Sequence, residues 1–324
     1  PWWRRLTVDR FLVAIVAAAV LGTVLPAQGW AVATVDWSGR ILIGLLFFLY
    51  GTRLSPRDTL HGLRNWPLHT LAFCATYLVF PVMGLILGWL VKDTFGPALA
   101  IGIVYMTLVP STVQSSVNFT SIAGGNVAAA IVTASLSNLT GVVITPVLAM
   151  LFIGGMGIHI SAASFITIGV NILAPYLVGQ LLRGWTLDFV TRHRRLKLID
   201  QASVVMIVYA AFGEAMRTNT WTQTSVGAIV VLTIVLLGVL ICMLSLTWFI
   251  PHALKLPRVD VIAVQMCGTK KSLMTGLPMA AVILSGSPHA LGLVGLPLMV
   301  YHQLQLMVCG ALASRYARHS APAR

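Results

Sequence analysis

Two short polar clusters interrupt apolar runs in this chain: "PSTVQSS" at residues 110–116, and "CGTKKS" at 267–272 with its adjacent Lys270 and Lys271. A third, "YHQLQ" at 301–305, places His302 beside Gln303 and Gln305. A lysine held in a long apolar run costs roughly 2.5–3.5 kcal/mol on membrane-insertion scales, so such a charge is a functional candidate that needs a partner. The chemistry open to these groups is the binding of ions or charged solutes, and exchange of a proton on Lys270, Lys271 or His302. Catalysis is not indicated: there is no HExxH, no nucleophile beside a base, and almost no carboxylate in the apolar runs. Lysines that merely cap a short span would leave "SLMTGLPMAAVIL" too short to cross a membrane alone.

The elements that must position these groups are membrane helices. Of 324 residues 58% are apolar and 9% charged, with mean hydropathy +0.90, where a soluble domain carries about a quarter charged residues. No Asp, Glu, Lys or Arg occurs from Thr94 to Leu182. Cys74, Cys242, Cys267 and Cys309 all fall inside apolar runs, so no extracellular disulfide framework is implied. Apolar runs bounded by Gly, Pro and charge predict ten spans, near 9–26, 38–53, 66–91, 97–123, 126–153, 160–183, 199–217, 222–250, 259–286 and 289–314. The first reads as a helix rather than a cleavable signal. The side holding both termini collects sixteen of the 21 Lys and Arg against three opposite, which makes the termini cytoplasmic. The two buried lysines complete the count, so the net charge of +13 leaves no surplus patch for nucleic acid. "TLDFVTRHRRLKLID" reads as a basic amphipathic surface segment, and Glu214 as the one acid inside a span.

Five spans followed by five predict two halves of opposite topology, 1–155 and 156–324. "LFFLYGTRL" echoes "IVYAAFGEAM", and "PSTVQSS" echoes "CGTKKSL", pairing Thr112 with Thr269, Gln114 with Lys271 and Ser115 with Ser272. Spans 4 and 9 both read as broken. A half of 12–14 residues rises only ~20 Å against a ~30 Å core, and Pro110 disfavours helix just before itself. Such broken pairs mark a transporter's binding site. Adjacent helical residues point about 100° apart, so one lysine is expected to face the meeting point of the breaks and the other a carbonyl-rich helix end. Half-helix N-termini after Thr112 and Thr269, with a lysine beside them, favour an anionic head group. The candidate site is therefore Thr112, Gln114, Ser115, Ser116, Asn118, Thr269, Lys270, Lys271 and Ser272, with His302 in the last span.

"PSTVQSSVNFTSIAGGNVAAAIVTASLSNLTGVVITP", "CGTKKSLMTGLPMA" and "YHQLQLMV" resemble the bile acid:sodium symporter superfamily, in its SBF-like branch, which holds the seventh member of solute carrier family ten. The resemblance implies an all-α polytopic fold of ten transmembrane helices in two five-helix inverted repeats. A panel domain (spans 1, 2, 6 and 7) and a core domain (spans 3–5 and 8–10, with broken helices 4 and 9 crossed) would alternate access by moving relative to each other. It also implies two sodium sites, and here the sequence departs. The acidic position of span 9 falls on Gln265 or Met266, a Gln of span 3 on Thr76, a Ser-Asn pair on Ser116-Val117, and two hydroxyl positions on Ala130 and Ala134. Thr76, Ser116 and Gln265 are thus residual sodium-site positions, and Thr133 and Ser137 could supply neutral oxygens, but hard cations favour cages that include carboxylate. The expectation is that a lysine ammonium fills the place of sodium, with no cofactor and with Na+ or H+ as possible coupling ion. The expected role is secondary transport of a small organic anion by an integral protein of a bacterial inner membrane, in contact with membrane lipid, as monomer or homodimer. A non-transporting membrane regulator or sensor of ion homeostasis is the alternative.

Overall fold

The computed structural model describes residues 10–53, 65–154, 166–217, 225–284 and 288–320, and among these the regular structure is entirely helical. In chain order the helices are α1 (Arg10–Val24), α2 (Trp30–Arg53), α3 (Trp66–Phe95), α4 (Pro97–Leu108), α5 (Gln114–Ile122), α6 (Val127–Ile153) and α7 (Ile166–Leu181). There follow α8 (Arg183–Arg192), α9 (Lys197–Arg217), α10 (Val226–Ala253), α11 (Arg258–Gly268), α12 (Leu273–Ile283) and α13 (Pro288–Ser320). Six of them, α2, α3, α6, α9, α10 and α13, are long and apolar enough to cross a membrane. The two spans read as broken are pairs of short helices, α4 with α5 and α11 with α12.

The punctuation is local. Gly96, at φ 77°, turns α3 into Pro97 at the head of α4. Gly124, at φ 70°, releases the chain before Asn126, whose side-chain oxygen caps α6 by accepting from Ala129 N at 3.0 Å. The basic segment after residue 182 is α8, bent 94° from α7, with Trp185 and Phe189 exposed on it. Two boundaries differ from expectation by more than five residues, one of them the end of α13 at Ser320 past 314. Helix α2 begins at Trp30 instead of 38, because Asp36 and Arg40 stand one turn apart and both exposed, where polar side chains interrupt nothing.

The chain divides into two compact units, each drawing on both halves of the sequence. The first holds α1, α2, α7, α8, α9 and residues 281–293; the second holds α3–α6, α10, α11, most of α12 and most of α13. In the first, α2 and α7 meet through glycine. A methyl on Gly51 would lie 2.1 Å from Tyr176 O, and one on Gly179 would lie 2.1 Å from Phe48 O. Thr52 Oγ1 donates to Gly179 O at 3.4 Å across this contact, the close backbone approach that small residues permit between membrane helices. Below it Arg53 pairs with buried Asp200 at 2.6 Å, so Glu214 is not the only acid inside a helix.

This contact sets a stability test. Gly179→Val is expected to destabilise the first unit by about 1–3 kcal/mol through overpacking, seen as a lower melting temperature in detergent. Gly44→Ala, where no atom lies within 4 Å of the added methyl, is expected to leave it unchanged.

Candidate functional site

The site lies in the second unit and begins with backbone groups that the sequence strips of their helical partners. In α3 the turn Ala75–Val79 is wound as a π-helix, with Phe80 N donating to Ala75 O. The carbonyl of Thr76 then has neither Phe80 N nor the next amide available, since residue 81 is proline. At the end of α4 Pro110 removes another donor, and the carbonyls of Thr107 and Val109 point out of the helix end.

Lys271 closes this gap. Its Nζ donates to Thr107 O at 2.6 Å, Val109 O at 2.9 Å and Thr76 O at 3.0 Å, and sits 4.2 Å from the ring centre of Phe80. An ammonium carries three N–H groups, and here each meets one orphaned carbonyl in a side chain with no solvent exposure. The remaining carbonyls of the first break are matched one by one. Leu108 O accepts from Thr145 Oγ1 at 2.9 Å, Pro110 O from Ser272 N at 2.8 Å, and Ser111 O from Asn138 Nδ2 at 2.7 Å.

The second break is satisfied in the same manner. Cys267 O accepts from Ser111 Oγ at 2.6 Å and Thr269 O from Tyr301 OH at 2.9 Å. The backbone of Lys271 is held on both sides by Gln305, N to Oε1 at 2.7 Å and O from Nε2 at 2.8 Å, with His302 Nδ1 at 3.2 Å from the same carbonyl. Tyr105 OH reaches Gly276 O at 2.6 Å. Ser272 Oγ caps α12 by accepting from Thr275 N at 3.2 Å, and Thr275 Oγ1 donates to Asn138 Oδ1 at 3.0 Å. The two breaks are thus stitched directly to each other through Ser111 with Cys267 and Ser272 with Pro110. Counted from the ends of the first half-helices, Leu108 and Gly268, Lys271 stands opposite Ser111 and not Gln114, so the register of the sequence echo is displaced.

Lys270 is placed differently. It is equally buried, and its Nζ finds no hydrogen-bond partner among the described residues. It lies 4.2 Å from the centre of the Phe119 ring, beside the thiols of Cys309 and Cys267. Lys271 is therefore the lysine against the carbonyl-rich helix end, while Lys270 faces an aromatic wall.

Among the other candidates, Thr112, Ser115 and Ser116 form a hydroxyl cluster at the head of α5, with Thr112 Oγ1 2.5 Å from Ser115 Oγ and 3.3 Å from Ser116 Oγ. Gln114 and Asn118 are exposed on α5. Thr133 Oγ1 is 2.8 Å from His69 Nδ1, and Ser137 Oγ accepts from Ser111 N at 3.0 Å. The Thr76 hydroxyl turns back to Ala72 O at 2.9 Å, so it is the carbonyl of that residue that reaches the site. Thr269 Oγ1 donates to Gln265 O at 2.7 Å. The Gln265 side chain itself points to Leu244 O and Tyr316 OH, away from Lys271. His69, Thr76, Ser111, Thr133 and Ser137 line a space too small for a water molecule. They offer an ion only neutral oxygen and imidazole nitrogen.

Besides Glu214, read as the one acid inside a span, the helices hold Asp260, which the sequence does not single out. It is buried at the head of α11 and accepts from Asn126 Nδ2 at 2.7 Å and Asn65 Nδ2 at 2.8 Å, joining the starts of α3, α6 and α11. Glu214 pairs with Arg217 in the other unit. Tyr77, Tyr105, Asn138, Tyr301 and Phe119 were likewise not singled out. Their positions on apolar runs resemble packing until their distant partners are known.

The profile of the SBF-like CPA transporter family matches residues 9–318. The chain is 41% identical over 312 residues to an uncharacterized protein of Pseudomonas aeruginosa, covering 96% of this chain and 93% of the relative. It is 35% identical over 316 residues to YfeH of Escherichia coli, which carries the name of a symporter, covering 96% and 94%. It is 26% identical over 305 residues to sodium/bile acid cotransporter 7 of Xenopus tropicalis, covering 93% and 88%.

The two lysines are expected to differ in stability. Lys271→Met strands three buried carbonyls and should cost about 3 kcal/mol or more, at 1–3 kcal/mol for each unsatisfied group. Lys270→Met removes an ammonium that holds no carbonyl and should be neutral or stabilising by about 1 kcal/mol. Melting temperatures of the two purified variants decide it.

Proposed function

This chain belongs to the SBF-like CPA transporter family, an integral multi-pass membrane family of transporters and not of enzymes, and from that premise we propose a secondary transporter of a small organic anion that works without a bound sodium ion. In this reading the chain crosses the membrane ten times as two inverted five-helix repeats, with both termini cytoplasmic, in a bacterial inner membrane. Helices α4–α5 and α11–α12 serve as broken spans, and access to their meeting point alternates.

The observation that carries the proposal is the seat of the Lys271 ammonium on Thr76 O, Thr107 O and Val109 O. Carbonyl oxygens at helix breaks are the ligands that coordinate alkali cations in such folds. A tethered cation on the same kind of oxygens holds the breaks together permanently, where a sodium ion would come and go. The loss of carboxylate at Gln265 and Met266 fits this exchange of charge, since a fixed positive group needs no negative companion to attract a mobile one.

The substrate's head group is placed at the N-terminal turn of α5. Backbone N–H groups and the hydroxyls of Thr112 and Ser115 converge there, and Gln114 is exposed beside them. Sodium-independent transport leaves a proton as the coupling ion. His302 is its candidate carrier, because its Nδ1 lies 3.2 Å from the carbonyl of Lys271 and 2.9 Å from Gln305 Nε2.

Uptake of organic anions into proteoliposomes tests the proposal. Replacing sodium by potassium should leave uptake unchanged, sodium should not raise the melting temperature of the purified protein, and His302→Gln should flatten the pH profile of uptake. Sodium-dependent thermal stabilisation that persists when both lysines are alanine would overturn it, and absence of uptake of any organic anion would favour the regulator.

A further inference from the structure

Lys270 takes no part in the seat of Lys271 or in the head-group turn of α5, and its surroundings do not account for its charge. The side chain has no solvent exposure, and its Nζ has no hydrogen-bond partner among the described residues. It meets the face of Phe119 at 4.2 Å, with the thiols of Cys267 and Cys309 beside it. A ring face and a thiol are both weak partners for a desolvated ammonium. Among the described residues of this unit the carboxylates are Asp93, exposed on α3, and Asp260, occupied by Asn65 and Asn126. A buried cation that holds no oxygen in this state calls for an anion in another.

Phe119 is placed to cover that charge. It is partly exposed on α5, where the ammonium under its ring is not exposed at all. On α13 it meets Gly310, where an added methyl would lie 3.6 Å from ring atoms Cε1 and Cζ, so the ring rests on bare backbone there. Ser115, of the hydroxyl cluster at the head of α5, stands one turn before Phe119 on the same helix face. A ring that swings away therefore leaves a place of its own size beside Lys270, one turn along α5 from Ser115.

We propose that Lys270 is the counter-charge of the transported anion, a carboxylate or sulfonate on an apolar body, and that Phe119 is the lid over it. This rests on the transport reading and deepens it. The N-terminal turn of α5 receives the head group, and the ammonium binds it once the ring has moved. The anion's oxygens then supply the acceptors that the N–H groups of Lys270 lack, while its apolar body stays against the displaced ring. The two adjacent lysines divide the work: Lys271 joins the breaks, and Lys270 binds the cargo.

Trinitrobenzenesulfonate, an organic anion that arylates amines and releases sulfite, is the probe. Labelled lysines of the full chain in proteoliposomes are read by peptide mass spectrometry, with Lys271, whose three N–H groups are occupied, as internal control. Lys270 should label, and Phe119→Ala should speed this by roughly tenfold or more, because an open state populated at about 0.1–10% becomes permanent. Phe119→Leu takes its place if that variant does not fold. Benzenesulfonate, which does not react, should slow the labelling of Lys270 and raise the melting temperature of wild type but not of Lys270→Met. In uptake, Lys270→Met should raise KM by roughly thirtyfold or more, the scale for a desolvated charge pair that loses one partner, and Lys270→Arg should recover most of it. Lys270 that stays unlabelled without the ring, or labels equally with and without it, would overturn the proposal. So would labelling that benzenesulfonate does not slow, or uptake that Lys270→Met leaves unchanged. A wild type that takes up no organic anion defeats the transport reading, while the labelling and melting results still decide whether Lys270 is an anion site.

Discussion

The core of the second unit depends on one ammonium answering three carbonyls. Pro81 and Pro110 each delete an amide that a neighbouring turn needs, so the turn before Pro81 widens into a π-helix and α4 stops at Leu108. The widened turn strands Thr76 O, and the end of α4 leaves Thr107 O and Val109 O without helical partners, in an apolar interior where an unmet group costs about 1–3 kcal/mol. Three such groups in one place would make the fold untenable without a cation. Lys271 is that cation: Gln305 clamps its backbone at both N and O, and its Nζ sits over the Phe80 ring. Beside it the two breaks are bridged directly, Ser272 N donating to Pro110 O and Ser111 Oγ to Cys267 O.

A mobile ion and a tethered ammonium solve the same problem with different consequences. A sodium ion is spherical and leaves the site by exchanging carbonyls for water, so its departure loosens the helices it joined. A lysine ammonium offers three directed donors and cannot leave, so the breaks stay joined through any cycle that does not withdraw the whole side chain. Lys270 shows that charge alone does not create such a seat. Next in sequence and equally buried, it leaves the same non-helical break in another direction and meets the face of Phe119. A ring face is a weaker and less directional partner than an oxygen cage.

Much of this was legible in the sequence, for reasons that can be named. Proline and a charged pair inside long apolar runs announce breaks, and α4–α5 and α11–α12 are broken where "PSTVQSS" and "CGTKKS" stand. What could not be read is what lies opposite each break. The partners of Lys271 are backbone oxygens 162 to 195 positions away, and backbone oxygens have no sequence signature. Asp260 falls at the second position of the ninth predicted span, where a carboxylate next to Pro257 and Arg258 reads as a boundary charge. Its burial comes from Asn65 and Asn126, which converge on it from two other helices. Gln265 reads as a residual ion-site position only through resemblance, and its amide is held between Leu244 O and Tyr316 OH.

The π-turns themselves follow a local rule that the sequence does carry. In α3 the widened turn Ala75–Val79 is followed by Pro81; in α7 the widened turn Gly169–Leu173 is followed by Pro175. In both, the residue before the proline donates five residues back, Phe80 to Ala75 and Ala174 to Gly169. A proline that cannot donate to the carbonyl four residues earlier frees that turn to take up one more residue. The helix pays with an unmatched oxygen and continues. What the freed region then does depends on its surroundings. In α7 the oxygen in the corresponding position is that of Val170, and Asn171 Nδ2 donates to a different carbonyl, Thr167 O, at 2.8 Å. In α3 Thr76 O is taken by Lys271, from the break between α11 and α12, so a local irregularity becomes the anchor of a long-range contact.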